Sequence, residues 1–161
     1  MTPEFECEVR AGLSPSQVDG LMRLYANEWW TRDRTRRDVE RMLADCDLLF
    51  VVTERESQSL AAFARVLTDH TYVALLLDTI VAPAFRGSGL GRLLVERVCS
   101  APELRDVERI ELTCQPELIP FYRKWGFTEN VGRSRPMRRS TNPVFSDAAA
   151  QQAHRADRPE G

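Results

Sequence analysis

The sequence predicts a single α/β domain built on a mixed, mostly antiparallel sheet with about four flanking helices. Three observations carry this. Apolar, β-branched runs at 48–54, 60–68 and 72–82 are joined by short polar turns, as in an antiparallel meander. The third run passes through Pro83 into Arg86-Gly87-Ser88-Gly89-Leu90-Gly91 and then into helical periodicity, giving strand, glycine loop and helix. A further alternating run, Ile110, Leu112 and Cys114 against Glu111 and Thr113, follows that helix, and a helical crossover sets it parallel to the strand before the loop.

The 161 residues, 43% of them hydrophobic, suffice for one core. Lys+Arg 22 against Asp+Glu 24 leaves a net charge of −2, so no global field favours nucleic acid or an anionic membrane. The acidic start MTPEFECEV has no signal-peptide core, and no apolar run reaches the roughly 20 residues of a membrane span. A soluble cytoplasmic protein is expected. Cys7, Cys46, Cys99 and Cys114 are scattered without a C-x-x-C pair, which points to free thiols and to no metal site.

Taken in order, residues 5–10 alternate Phe5, Cys7 and Val9 with Glu6, Glu8 and Arg10, a half-buried strand. Ser14-Pro15-Ser16-Gln17 is a capping box with a first-turn proline, and Val18, Leu21, Met22, Tyr25 and Trp29 continue as one helix face. Thr35, with Asp38 three residues on, opens a second helix burying Val39, Met42, Leu43 and Cys46. The connection between these helices, residues 29–37, holds two tryptophans and four arginines in nine residues. It reads either as a solvated basic loop or as a wall that recognises a planar or carboxylate-bearing ligand by forked hydrogen bonds and cation–π stacking. His70 falls in a tight turn and reads as an idle surface residue. Leu90, Leu93, Leu94 and Val98 line the helix after the glycine loop, and residues 118–125 form a short helix ended by Gly126. Residues 131–139 read as one or two arginine-rich edge strands, and 141–161, with little to bury, as a mobile tail.

The glycine loop carries the chemistry. Its amides and the first free N–H groups of the helix converge where the helix dipole favours negative charge, a site for phosphate or pyrophosphate. A Walker loop would need Gly-Lys-Ser/Thr where Arg92-Leu93 stand, and a dinucleotide fingerprint started at Gly87 would need a small residue at Arg92. A plain βα turn without a ligand is the remaining alternative. Val81, Pro83, Arg86, Gly87, Gly89 and Gly91 instead match the pattern V-x-P-x-x-R/Q-G-x-G-x-G/A, so the stretch resembles motif A of the GNAT acetyltransferase superfamily. Ile119-Pro120-Phe121-Tyr122-Arg123-Lys124-Trp125-Gly126-Phe127, about thirty residues on, resembles motif B of the same family, A/I-x-x-F-Y-x-K-x-G-F. The resemblance covers roughly residues 5–140.

It implies the GNAT fold, with six to seven strands and a parallel pair splayed where the pantetheine arm of acetyl-CoA enters. Amides of Ile80 and Val81 would then meet the pantetheine and the thioester carbonyl. Arg86, Gly87, Ser88, Gly89, Leu90, Gly91 and Arg92 would hold the pyrophosphate. An amine would attack the thioester directly in a ternary complex, and Tyr122, also in contact with the cofactor, would supply a proton to the leaving thiolate. Gln115 stands where the family often has asparagine, so its cofactor contact is a departure. Asp78 is a candidate general base if burial raises its pKa, or a structural carboxylate if strand parity turns it elsewhere; the neighbouring family glutamate is Leu77 here. Glu28, Glu111 and a water relay are the other candidates. The acceptor wall would comprise Glu28, Trp29, Trp30, Arg32 and Arg34, suiting a small primary amine with a carboxylate or aromatic group. A protein lysine or N-terminus is the second acceptor reading, and a non-catalytic acyl-CoA binder the rival from another class. A homodimer is left open.

Overall fold

The computed structural model describes residues 4–145. Its single sheet has the order β1-β2-β3-β4-β5, where β1 is Phe5–Arg10, β2 Leu48–Glu54, β3 Leu60–Thr68, β4 Val73–Val81 and β5 Arg109–Glu111. The first four strands pair antiparallel, and β4 and β5 pair parallel. Four α-helices flank it: α1 Pro15–Ala26, α2 Arg36–Ala44, α3 Leu90–Cys99 and α4 Ile119–Tyr122. This is the expected α/β architecture with five strands in place of six to seven. Residues 131–139 form no strand. Their run Arg133-Ser134-Arg135-Pro136-Met137-Arg138-Arg139 offers no alternating apolar face to bury, sets like charges close together and lacks a donor at Pro136.

The helices start where their caps predict. The Ser14 hydroxyl accepts from the Gln17 amide at 3.2 Å while the Gln17 side chain accepts from the Ser14 amide at 2.9 Å. Thr35 accepts from the Asp38 amide at 3.2 Å at the start of α2. Helix α1 stops at Ala26, one turn before the expected Trp29, because the buried Thr31 hydroxyl donates to the Tyr25 carbonyl at 2.8 Å and turns the chain out of the helix. Trp29 and Trp30 are therefore half-buried in the connection.

The sheet separates two apolar clusters. Phe50, Val52, Ala62, Ala64, Ala74 and Leu76 pack with Leu90, Leu94, Val95 and Val98 of α3 on one face. Leu49, Val51, Phe63 and Ile80 pack with Val18, Leu21, Leu24 and Tyr25 of α1 and with Val39 and Leu43 of α2 on the other. Gly20 lets α1 approach β3, since a Cβ there would lie 2.9 Å from Leu60 Cβ. Gly20→Ala should therefore destabilise the protein by about 1 kcal/mol in urea titration, the overpacking penalty exceeding the gain in helix propensity.

Strand β4 carries the feature that organises the site. Arg65 pairs with Leu77 and Phe63 with Ile80, so Asp78 and Thr79 together oppose Ala64 in a β-bulge. Asp78 takes a left-handed conformation there, φ 54°. The extra residue flips the strand's parity, so that Ala74 and Leu76 face α3 but Asp78 and Ile80 face α1 and α2.

Beyond α4 the chain turns at Gly126, in a left-handed conformation, and ends its described part in a short 3-10 helix, Pro143–Phe145. Phe145 packs against Trp29, ring centroids 6.2 Å apart. Residues 146–161, within the stretch read as a mobile tail, lie outside the described residues. No helix among the described residues is long and apolar enough to cross a membrane.

Candidate active site

Strands β4 and β5 pair only from Val73–Arg109 to Leu75–Glu111. Past that point they part, and Leu76 to Thr79 of β4 and Leu112 to Gln115, which follow β5, line one cleft of about 310 Å³. The edge of β4 beyond Leu75 thus has no strand partner on this side, and its amide and carbonyl groups are available to an extended ligand carrying amides of its own. Ile80 and Val81 continue that edge toward the glycine loop.

Gly87 and Gly89 both adopt left-handed conformations, φ 78° and 89°, and Gly89 is the N-cap of α3. A side chain at either would be strained, while glycine lets the loop fold back with its amides outward. The first N–H groups of α3, on Leu90, Gly91 and Arg92, have no carbonyl within the helix. Ser88 donates its hydroxyl to the Phe85 carbonyl at 2.5 Å and braces the loop. Arg86 lies across the end of β4, 3.4 Å from the Val81 carbonyl, and is paired at 2.5 Å with Glu28 from the helix connection. Arg92 reaches Glu96 on its own helix at 2.7 Å.

Tyr122 is 7% exposed and sits at the cleft where β4 and β5 part. Burial raises its pKa above the ordinary phenol value, and a hydrogen bond between the Tyr122 and Thr79 side chains opposes that shift only in part. The hydroxyl therefore stays protonated at neutral pH. Phe121 and Phe127 make edge-on ring contacts with it, and Trp125 packs edge-on against Phe121 behind them, which fixes the ring. A second, smaller cavity of about 220 Å³ meets the first at Tyr122 and at Leu112, Thr113 and Cys114.

Asp78 lies in the cleft wall, 8% exposed, at the centre of an ion cluster. Arg34 donates to it from both terminal nitrogens, at 2.6 and 3.2 Å. Arg65 Nε donates at 2.7 Å and the Tyr25 hydroxyl at 2.8 Å. Burial pushes the carboxyl up, but the hydrogen bond from Arg34 and the charges of Arg65 and Arg34 together outweigh it and hold the group below the usual carboxylate range. Burial, followed by the nearby carboxylate, raises the Tyr25 phenol, so Tyr25 too remains a donor. Arg34 stands over the rings of Tyr25, 4.7 Å, and Trp30, 5.8 Å, which orients its fork toward Asp78.

Of the sequence-proposed residues, Trp29, Trp30, Arg34, Asp78, Gln115 and Tyr122 meet in the cleft. Glu28 is drawn instead to Arg86, Arg32 lies outside the cleft lining, and Glu111 is exposed and paired with Arg109 at 2.8 Å. Sequence reading passed over Thr79, Arg65, Arg138 and Phe145, all of which line the cleft. Arg65 had a visible signal, a charge in the middle of the apolar run LAAFARVLT.

Comparison with known proteins agrees with this geometry. Residues 18–127 match the family model described as the Acetyltransferase (GNAT) family. A crystal structure described as a GNAT-family protein from Xanthomonas campestris pv. campestris superposes with TM-score 0.71 at 27% identity, covering 88% of this chain and 98% of that one. GCN5-related N-acetyltransferase 1, chloroplastic, of Arabidopsis thaliana is 29% identical over 113 residues, 70% of this chain and 57% of its own length. Serotonin N-acetyltransferase 2, chloroplastic, of Oryza sativa subsp. japonica is 28% identical over 131 residues, 80% of this chain and 65% of its own. The chain thus spans about half to two thirds of the length of these two plant relatives. With two thirds of the chain matching the family model, the chain belongs to the GNAT acetyltransferase family.

Proposed function

We propose that the protein is an acetyl-CoA-dependent N-acetyltransferase acting on the primary amine of a small molecule by direct attack in a ternary complex. The observation that carries this reading is the buried, protonated Tyr122 hydroxyl at the point where β4 and β5 part. The residues fit the cofactor: the open edge of β4 matches the amides of a pantetheine arm, and the left-handed glycines with the start of α3 match its pyrophosphate. Bound acetyl-CoA would supply an electrophilic acyl carbon and a thiolate leaving group.

Against that chemistry each side chain has a task. Tyr122 would donate its proton to the departing sulfur and be reprotonated, through cleft water, by the second proton that the attacking nitrogen loses. The amides of Ile80 and Val81 would orient the arm and polarise the carbonyl. The amides of Gly87 to Arg92 would hold the pyrophosphate, with Gln115 beside the arm, and Arg86 would exchange Glu28 for it. Asp78 positions Arg34 and Arg65 and does not act as the base, because a carboxylate shared by two guanidiniums accepts a proton poorly. The proton of the acceptor ammonium leaves through water in the open cleft. Trp29, Trp30 and Arg34 belong to the acceptor side, where a cleft of modest volume between indole walls favours a small amine over a protein lysine. The four free thiols suit a reducing compartment such as the cytoplasm.

Initial rates measured against both substrates should give intersecting lines, the pattern of a ternary complex; parallel lines would mean an acetylated enzyme and would contradict direct attack. Gly89→Val, which forces a β-branched residue to φ 89°, should weaken acetyl-CoA binding at least tenfold by calorimetry.

A further inference from the structure

The wall of the cleft is unbalanced in charge. Asp78 is the one carboxylate among the described residues that line it, whereas Arg34, Arg65 and Arg138 all line it. Two of these guanidiniums converge on that single carboxylate at 2.6 and 2.7 Å. Little water reaches the junction, because the Asp78 side chain is 4% exposed and that of Arg65 11%. A buried charge needs a matching charge nearby, and here one negative group serves two positive ones. The excess is turned toward the cleft: the Arg34 side chain is 28% exposed, and Asp78 takes two of its five donor positions. Arg138 stands at the rim over the Phe145 ring, 5.5 Å away, and Phe145 in turn packs on Trp29.

We propose that this two-to-one cluster is a carboxylate-reading subsite: the acceptor is a primary amine that also carries a carboxylate on a planar or aromatic body, and Arg34 and Arg138 are the residues that select it. The proposal rests on the acetyl-transfer reading for the role of the cleft. A carboxylate brings the buried cluster to two charges of each sign and presents the planar, two-oxygen edge that a guanidinium fork matches. The buried excess of one unit suits a carboxylate better than a doubly charged phosphate. The same charges disfavour a bare ammonium, so an amine without an anion enters against repulsion while an amino-acid zwitterion arrives neutral. Trp29, Trp30 and Phe145 supply the flat apolar surfaces for the remainder of such a molecule.

The test uses amines that differ only in the carboxylate: tryptophan against tryptamine, and phenylalanine against phenethylamine, with O-phosphoethanolamine as the phosphate comparison. In thiol release from acetyl-CoA, kcat/KM should be ten- to hundredfold higher for the carboxylate member of a pair, the difference lying in KM. Arg34→Gln should bring that ratio toward one by raising the KM of the acid. It leaves Asp78 paired one-to-one with Arg65, and Arg138→Gln, at an exposed position, should lower the ratio without touching the cluster. An independent readout needs no turnover: with the protein free of acetyl-CoA, calorimetry should show N-acetyltryptophan binding at least tenfold tighter than N-acetyltryptamine.

Equal or better use of the decarboxylated amines, a preference for O-phosphoethanolamine, or a ratio unchanged in both arginine variants would overturn the subsite. Acetylation of both members without discrimination would leave acetyl transfer standing and remove the subsite. Tighter binding of the acid without thiol release from any amine would do the reverse. Neither discrimination nor release would remove both.

Discussion

Tyr122→Phe should lower kcat about a hundredfold or more while changing acetyl-CoA affinity far less, because it removes one proton donor and keeps the ring. The hydroxyl is placed for this. Its residue is buried, with Phe121 and Phe127 edge-on against the ring, so the phenylalanine ring should occupy the same space. Steady-state thiol release, calorimetry with acetyl-CoA and a melting curve together separate the outcomes. A variant that melts normally, binds the cofactor and turns over slowly assigns Tyr122 to the chemical step. A variant with wild-type kcat would make Tyr122 a packing residue and the acid a water molecule. Since burial raises the phenol pKa, loss of the Tyr122 proton should cut activity on the alkaline side only above the ordinary value for tyrosine.

Asp78→Asn should be the most destabilising single change at the site, by about 3–5 kcal/mol, because it strips the counter-ion from two guanidiniums that are themselves partly buried. In a chain of this size that is a fall in melting temperature on the order of 10 °C. The acid side follows from the same cluster. The folded-state pKa of Asp78 is depressed from 3.8, so its contribution is fully present above that value and is lost as pH falls through the lower folded value. The wild-type stability curve should therefore drop steeply below about pH 4, and the variant should lack that part of the drop. Asp78→Asn with a wild-type melting temperature and a thousandfold lower kcat would instead make Asp78 the proton acceptor.

What could be read from the sequence, and what could not, divides by physical range. The glycine loop, the capping boxes and the short tyrosine helix are local: each is set by a few consecutive residues whose backbone demands are visible in order. The double-tryptophan connection read either as a solvated basic loop or as a ligand wall, and its place at the cleft, through Trp29, Trp30 and Arg34, is set by contacts with distant strands. Asp78 was not decidable. Its role depends on a bulge created by how β4 pairs with β3, and one added residue moves it from the α3 face to the α1 and α2 face. Arg65 stood out as a charge in an apolar run, but its role stayed hidden for the same reason, since its partner is thirteen positions away and across a strand pair. The expected edge strands at 131–139 failed because pairing needs an alternating buried face as well as extended backbone. Phe145, in a stretch with little else to bury, acquires its place only through Trp29, more than a hundred residues earlier.

Acetyl transfer itself is tested most directly by thiol release from acetyl-CoA with the wild-type protein over separate pools of amino acids, arylalkylamines, polyamines, amino sugars and a lysine peptide. Release should depend on the amino-acid pool, with polyamines the poorest. Acetyl-CoA that raises the melting temperature yet is never cleaved with any pool would contradict it and leave a protein that binds the cofactor without using it.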